Sequence, residues 1–377
     1  MHILPIMRKY FATHTKGILL FLAIACSPVV VLAQTQTERF VPGVTLEGIN
    51  YYLPRTAMRV VIRTEKKVVT PGEFHMYAFK YMRLQDIPVQ STTTWTVKDI
   101  QVLPYGVPDK EKAYSIKLKS RTVAPFVSLN KEGLILGINT EGEKEETIPA
   151  VPKARILEHA ITHSEVRRYM NREMLQAGST AKMAELAARE IYDIRESRDA
   201  LVRGEADNTP KDGAQLKLML DNLDAQQRAL LSLFSGTTEI SEVYYAMDVI
   251  PTAETNKMIL FRFSKWMGLV DADDMSGVPF YMSIGRVGDL PPRSEDAAVE
   301  QKKGKMQKAV YYNMPARTKV KIFDAGNVWT ETEIPMAQLG YTEILSNVLF
   351  DKTASTRVSF YQSTGGIRNI ISDKEGK

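Results

Sequence analysis

The pattern of apolar and polar residues divides the chain into two strand-rich parts with a helical part between them. Met58, Val60 and Ile62 alternate with Arg59, Val61 and Arg63, a period of two that predicts a half-buried β-strand. Similar strand-like runs, separated by turn residues, continue up to Ile138 and return from Glu242. Each of these two parts therefore predicts a β-rich unit.

Between these parts the apolar spacing becomes that of α-helices. Ser179 or Thr180 is placed to cap a first helix that Gly204 would end, and Asp212 is placed to cap a second helix that would end at Gly236. Leucines spaced seven residues apart predict that the second helix packs along the first: Leu216, Leu223 and Leu230. The resulting antiparallel hairpin either packs on a sheet or projects as an arm that binds a partner.

Aromatic residues suggest two further local features. Phe74, Tyr77, Ala78, Tyr81 and Met82 are spaced to lie on one face of a short helix that covers the N-terminal sheet. Tyrosine pairs also precede two predicted strands in a similar context, at residues 51–54 and 311–315. This similarity is too short to establish an internal repeat.

The predicted fold class is α+β, with two β-rich, sandwich-like domains and a long antiparallel helical hairpin between them. The predicted boundaries are a signal peptide at residues 1–33, an N-terminal β-rich domain at 34–150, a helical region with the hairpin at 151–237, and a C-terminal β-rich domain at 238–377.

The first 33 residues have the composition of a secretory signal. Arg8, Lys9 and Lys16 precede an apolar run at 17–31, and small residues end the segment before Gln34. The apolar run is short for a membrane span, and we expect no transmembrane helix in the mature chain. An alternative is a lipoprotein signal in which Cys26 carries the lipid. The protein is therefore expected to be exported, either to the periplasm or to the outer membrane.

Export would change the composition. The chain has a net charge of +5, and its single cysteine, Cys26, lies in the leader. The leader carries three basic residues and no acidic ones, so cleavage would leave a nearly neutral chain without a thiol. This composition argues against a nucleic-acid partner, which needs a concentrated basic face, and against disulfides.

Four runs of the sequence are distinctive in combination: Tyr51-Tyr52-Leu53-Pro54-Arg55-Thr56, Pro71-Gly72-Glu73-Phe74, Ala177-Gly178-Ser179-Thr180-Ala181-Lys182-Met183-Ala184-Glu185 and Ile191-Tyr192-Asp193-Ile194-Arg195-Glu196-Ser197-Arg198. In these runs the chain resembles a secreted family of Bacteroidetes, the domain of unknown function 4831 family. The resemblance implies an exported envelope protein. It transfers no catalytic residue, because the family has no established activity.

Two groups of side chains could bind a metal. His159 and His163 would share a face if their segment were helical, but the chain lacks the glutamate that follows the first histidine in zinc peptidases. Asp271, Asp273 and Asp274 precede a glycine without the spacing of an EF-hand, so a turn is the favoured interpretation. We therefore predict no metal site and no cofactor, with the two histidines as weak candidates.

The hairpin carries the candidate interaction residues. Arg195 and Arg198 interrupt an apolar stripe on the first arm, and Glu205 and Asp207 lie in the predicted loop. Several charges in this region have the spacing of intrahelical ion pairs, and a solvated network explains most of them. The alternative is that the two arginines reach a carboxylate of the neighbouring β domain or of a partner.

Motifs of hydrolases and phosphate-binding loops are missing from the sequence. We therefore expect a non-catalytic structural or interaction protein of the Gram-negative cell envelope, with a protein partner. The alternative is an extracytoplasmic glycan-binding protein or glycan hydrolase, in which Trp95, Trp266 or Trp329 would stack on sugar rings.

Overall fold

Strands dominate the part of the chain that the structure describes. The computed structural model describes residues 49–116, 126–143, 148–207, 210, 212–293, 310–345 and 355–373. Of these residues, 48% lie in strands and 23% in helices. The predicted signal peptide and Cys26 lie outside the described residues.

The first sheet is built around one long strand and has the order β2-β1-β6-β5. Its antiparallel strands are β1 (Ile49–Thr70), β2 (Thr92–Ile116), β5 (Arg155–Glu158) and β6 (Thr237–Val249). Met58, Val60 and Ile62 of β1 are fully buried, whereas Arg59 and Arg63 on the opposite face are partly exposed. Val61 lies on the face of the arginines but is also buried. The predicted alternation is thus confirmed: one face of this part of the strand is apolar, and the other carries the arginines with one buried valine.

The second sheet packs on the apolar face of the first. Its order is β11-β10-β9-β7-β8, and its strands are β7 (Thr255–Ser264), β8 (Gly268–Val270), β9 (Val278–Arg286), β10 (Val310–Phe323) and β11 (Val328–Leu345). Phe280, Val320 and Met336 belong to the same apolar cluster as Val60 of β1. The two sheets therefore share one core, as the layers of a β-sandwich do.

A third, smaller sheet has the order β13-β12-β4-β3. Its strands are β3 (Val127–Leu129), β4 (Ile135–Ile138), β12 (Ser355–Phe360) and β13 (Ile367–Asp373). Ile138 and Val358 pack with Tyr51, Leu53 and Tyr312, which lie at the beginnings of β1 and β10. This second apolar cluster joins the small sheet to one end of the sandwich.

The helices form a third apolar cluster of their own. They are α1 (Ala78–Met82), α2 (His163–Arg168), α3 (Arg172–Leu175), α4 (Thr180–Arg203) and α5 (Gly213–Ser235). Ser179 caps α4 and Gly204 ends it in the left-handed conformation, as predicted, while Asp212 caps α5. α4 and α5 pack on each other, and Ile191 and Phe234 lie fully buried in the cluster.

The short helix α1 packs on helices rather than on a sheet. Phe74, Ala78 and Met82 are buried, as their spacing predicts, but they belong to the same cluster as α4 and α5. The backbone N–H of Phe74 donates to the carbonyl of Leu233 at 2.6 Å, which fixes the start of this segment to the end of α5. The predicted contact between this helix and the N-terminal sheet is therefore wrong.

The predicted fold class is also wrong, because the strands do not divide into two β domains with helices between them. β6 follows the helices in sequence but pairs with β1 and β5, which precede them. β4 and β12 lie on opposite sides of the helical segment and pair in the third sheet. The helices are insertions between β1 and β2 and between β5 and β6 of one sheet.

Candidate functional site

A cleft of about 670 Å³ lies where the helices meet the first sheet. The end of β5 and α2 form one wall, and the C-terminal half of α5 and the start of β6 form the other. Four charged side chains and one histidine line it: Glu158, His159, Glu165, Arg168 and Arg228. The cleft therefore presents both signs of charge.

Apolar side chains lie between these charges. Ile161, Tyr169 and Leu231 line the cleft and are partly buried against the helical core. Hydroxyl groups of Ser232 and Ser235 complete the α5 wall, but both already donate to carbonyls of their own helix, at 2.7 and 3.2 Å. The cleft thus combines an apolar surface with a charged rim.

The α2 wall is fixed by a capping box. The backbone N–H of Thr162 donates to Glu165 Oε2 at 2.7 Å, and the N–H of Glu165 donates to Thr162 Oγ1 at 3.3 Å. The hydrogen bond from the Thr162 backbone lowers the pKa of Glu165, so this carboxylate stays negative and holds the helix start. Glu165 therefore fixes the start of the helix that carries Arg168.

Arg228 is a charge of the cleft that a ligand can reach. Its side chain is exposed on α5, and it has no ion-pair partner among the residues that the structure describes. Arg168, also exposed, lies within electrostatic range of Glu165. The guanidinium of Arg228 could therefore bind a carboxylate of a ligand without first breaking an ion pair within the described part of the chain.

The edge strand β5 leads into the cleft and is anchored by a buried carboxylate. Glu242 of β6, whose side chain is 5% exposed, accepts from Arg155 Nε at 2.6 Å and from Arg63 NH1 at 3.0 Å. The hydroxyl of Tyr244 donates to the same carboxylate at 3.1 Å. Hydrogen bonds from Arg155 first, and then from Arg63, lower the pKa of Glu242 to about 2.

Exposed apolar side chains continue from the cleft along β5. All four residues of this strand are exposed, and Ile156 and Leu157 are 45% and 49% exposed. The pairing of β5 with β6 is irregular between Ile156 and Glu158, so Leu157 has no partner residue in this register. The strand thus presents two neighbouring apolar side chains to solvent.

The two histidines do not share a helical face. His159 lies after β5 and lines the cleft, whereas His163 is the first residue of α2. The helical spacing that a metal pair would need is therefore absent at this position. Across the described ranges, no three histidine, cysteine or acidic side chains are grouped as a metal ion would require.

The candidate residues of the helical region lie away from the cleft. Arg198 Nε donates to Asp224 Oδ1 of α5 at 2.8 Å, so this arginine contacts the neighbouring helix rather than a sheet. The guanidinium of Arg195 lies 5.4 Å from the ring centre of Tyr192. Glu205 is 3.8 Å from Arg203, and Asp207 is exposed. Their role toward a partner remains a prediction.

The tryptophans do not converge on a sugar-binding cleft. Trp95 and Trp329 are partly buried and pack in the sandwich core. Trp266 is 60% exposed but lies in the turn between β7 and β8. The 670 Å³ cleft has Tyr169 as its one aromatic lining residue, so the stacking that would favour a glycan has no counterpart there.

Sequence reasoning missed the arginines and the tyrosine of the cleft. Arg168 and Tyr169 lie about sixty residues before Arg228, and only the fold brings them to one place. The Thr162-x-x-Glu165 pattern was a usable signal for the start of α2. The two histidines of this segment, His159 and His163, were considered for their four-residue spacing, which a metal pair would require, and not for a cleft.

Membrane-spanning helices are not found among the helices described, since none combines the length and apolar content that a bilayer requires. Neither the curated proteins nor the solved structures contain a significant match to this chain. The family described as "Domain of unknown function (DUF4831)" matches residues 47–368, which include every described strand from β1 to β12 and all five helices. The chain belongs to this family.

Proposed function

We propose that this chain is an exported, non-catalytic interaction protein of the Gram-negative cell envelope, periplasmic or associated with the outer membrane. The cleft between α2, α5 and the first sheet is its docking site for a partner protein. The observation that supports this proposal is the combination, in one cleft, of an apolar surface, an unpaired Arg228 and an adjoining exposed strand. The signal-like composition of residues 1–33 supports export.

The chemistry of the cleft suits a polypeptide segment. A peptide offers apolar side chains to Ile161, Tyr169 and Leu231, and its acidic side chains or carboxyl terminus can bind Arg228. Its backbone can also pair with the edge of β5, as extended peptides do at exposed sheet edges. A bound peptide would thus contact both the apolar and the charged side chains of the cleft.

Site-specific photo-crosslinking tests this proposal. A photoreactive residue replaces Arg228 in the full chain, produced in its native host, and the same residue replaces Lys217 as the control. Both positions are exposed on α5, but Lys217 lies outside the cleft. We expect a discrete protein adduct from position 228 and none from position 217.

A charge-reversal variant makes this test specific. With the photoreactive residue at His159, the Arg168→Glu/Arg228→Glu variant should reduce the adduct at least about tenfold, since each guanidinium contact to a carboxylate contributes about 1.5–3 kcal/mol. Thermal unfolding should be unchanged, because both side chains are exposed. Equal adducts from positions 228 and 217, or an adduct that is indifferent to charge reversal, would contradict the proposal.

A further inference from the structure

Four large apolar side chains are exposed together at one edge of the second sheet. Trp266 and Met267 lie in the turn between β7 and β8, Met275 lies in the turn between β8 and β9, and Val278 begins β9. Their exposures are 60%, 60%, 79% and 56%. We call this surface the apolar tip. Ser276 Oγ lies 3.8 Å from Met267 Sδ, so the two turns are in contact.

Hydrogen bonds fix the second turn, between β8 and β9. Arg262 donates from Nε to the carbonyl of Ala272 at 2.9 Å and from NH1 to the carbonyl of Gly277 at 3.0 Å. The side chain of Asp274 accepts from the N–H of Ser276 at 2.8 Å, so the predicted aspartate turn is confirmed. The apolar side chains are therefore held outward by a formed backbone.

The first turn is fixed by the core as well. The carbonyl of Lys265 accepts from the N–H of Trp95 at 2.7 Å, and Gly268 has φ +80° with the Trp95 ring against it. Three residues separate β7 from β8, a hairpin loop that ends with a glycine in the left-handed conformation. Trp266 and Met267 thus project from a rigid support.

We propose that the apolar tip inserts into a lipid surface. The tip is made of two adjoining turns at the sheet edge rather than of a groove, and a fluid phase can surround such a projection without a matching pocket. Lys265 Nζ lies 5.2 Å from the ring centre of Trp266. An aromatic ring beside a lysine suits the boundary between lipid and water, where the ring is buried and the ammonium remains hydrated.

The charges around the tip indicate which lipid it would enter. Asp271, Asp273 and Asp274 supply three carboxylates, against the three cations Lys265, Arg262 and Lys66, whose Nζ lies 5.4 Å from the ring centre of Trp95. Balanced charges give no net attraction to anionic headgroups, so apolar burial drives insertion. The proposed occupant is therefore the interfacial layer of a bilayer without net charge. None of these residues lines the cleft, and this inference is independent of the proposed docking site.

Vesicle flotation with the full chain tests the inference. We expect the protein to float with phosphatidylcholine vesicles, and replacing part of that lipid by phosphatidylglycerol should not increase binding. The fluorescence of Trp266 should shift to the blue and be quenched by brominated lipid, and Trp266→Phe should remove that change. Trp266→Ser/Met267→Ser/Met275→Ser should lower the partition coefficient at least about tenfold.

A matched triple variant tests whether vesicle binding depends on the apolar tip or on any exposed apolar side chain. Val202→Ser/Leu218→Ser/Met219→Ser removes three other exposed apolar side chains, on α4 and α5, and should float like the unmodified protein. Unchanged thermal unfolding of both variants shows that each is folded. If the unmodified protein does not float, or if the two triple variants bind equally, the inference is wrong. A protein crosslinked through the tip in the absence of vesicle binding would also overturn it.

Discussion

At the scale of single residues, Glu242 has the most strongly shifted pKa among the carboxylates that the structure describes. Its pKa of about 2 lies below its ordinary value of 4.5, because Arg155 and Arg63 donate to the charged form. A lowered pKa in the folded state means that the unfolded chain takes up a proton first on acidification. The contribution of Glu242 to stability is therefore complete above about pH 5 and is lost as the pH falls toward about 2.

Replacing this carboxylate should change the pH dependence of unfolding. We expect Glu242→Gln to lower the melting temperature at neutral pH, and the difference from the unmodified protein to narrow steadily between about pH 5 and about pH 2. Circular dichroism melts over this range measure it. Glu333→Gln is the control, because the Arg317–Glu333 pair is 71% and 48% exposed and contributes little. If the difference in melting temperature were constant with pH, the lowered pKa would not belong to Glu242.

Gly268 offers a second test at this scale. Its φ of +80° disfavours any residue with a Cβ, and a Cβ placed there would lie 3.0 Å from the Trp95 ring. Gly268→Ala should therefore reduce the free energy of unfolding by about 2 kcal/mol. Gly285→Ala on β9, where no atom lies within 4 Å of the new Cβ, should have an effect several-fold smaller in urea denaturation. Equal effects of the two substitutions would show that backbone conformation is not the cause.

At the scale of elements, the sequence was informative wherever a local rule decides the structure. Ser179, Gly204 and Asp212 have the predicted positions at the ends of α4 and α5, because caps depend on residues within one turn. His163 shows the limit of local spacing. Four residues separate it from His159, but Thr162 is the cap of α2, so the helix starts too late to include both.

An exposed ion pair, Arg198–Asp224, joins α4 and α5. Arg198 and Asp224 are 40% and 41% exposed, so water competes strongly with their 2.8 Å contact. A double-mutant cycle with Arg198→Ala and Asp224→Ala should give a coupling energy of about 0.2–1 kcal/mol, measured by urea denaturation. A coupling above about 2 kcal/mol would mean that the pair orders the helices to an extent that its exposure does not suggest.

At the scale of the whole molecule, local patterns could not predict which strands pair. β4 and β12 are separated by more than two hundred residues, and each is an ordinary short apolar run in sequence. The change from strand to helical spacing near residue 151 indicated a domain boundary, although the chain returns to the same sheet afterwards. For the same reason the cleft, which joins both sides of the helical insertion, could not be derived before the fold was known.

The two similar tyrosine-containing segments, at residues 51–54 and 311–315, contact each other in the fold. Tyr51 and Tyr311 begin long strands in different sheets, and the hydroxyl of Tyr51 donates to the carbonyl of Tyr311 at 3.2 Å while accepting from its N–H at 2.8 Å. In both β1 and β10, a pairing irregularity follows within four residues. The two similar segments thus meet at the junction of the sheets.

Asn313, two residues beyond Tyr311, joins all three sheets through one buried side chain. Its Nδ2 donates to the carbonyl of Pro54 on β1 at 3.0 Å and to that of Thr364, in the β12–β13 turn, at 2.9 Å. Asn313 itself lies on β10 and is fully buried. Asn313→Ala would leave two buried carbonyls without donors, at a cost of about 2–5 kcal/mol.

Pro54 lies on β1, and Thr364 lies in the turn that joins two strands of the third sheet. The loss of stability should therefore affect all three sheets rather than this turn alone. Hydrogen exchange of Asn313→Ala should show β1, β10 and β12 opening at the same reduced free energy. Asn369→Ala on the exposed part of β13 is the control and should leave exchange in β1 and β10 unchanged. If Asn313→Ala increases exchange only between β12 and β13, the three sheets are stabilised separately and Asn313 serves the turn alone.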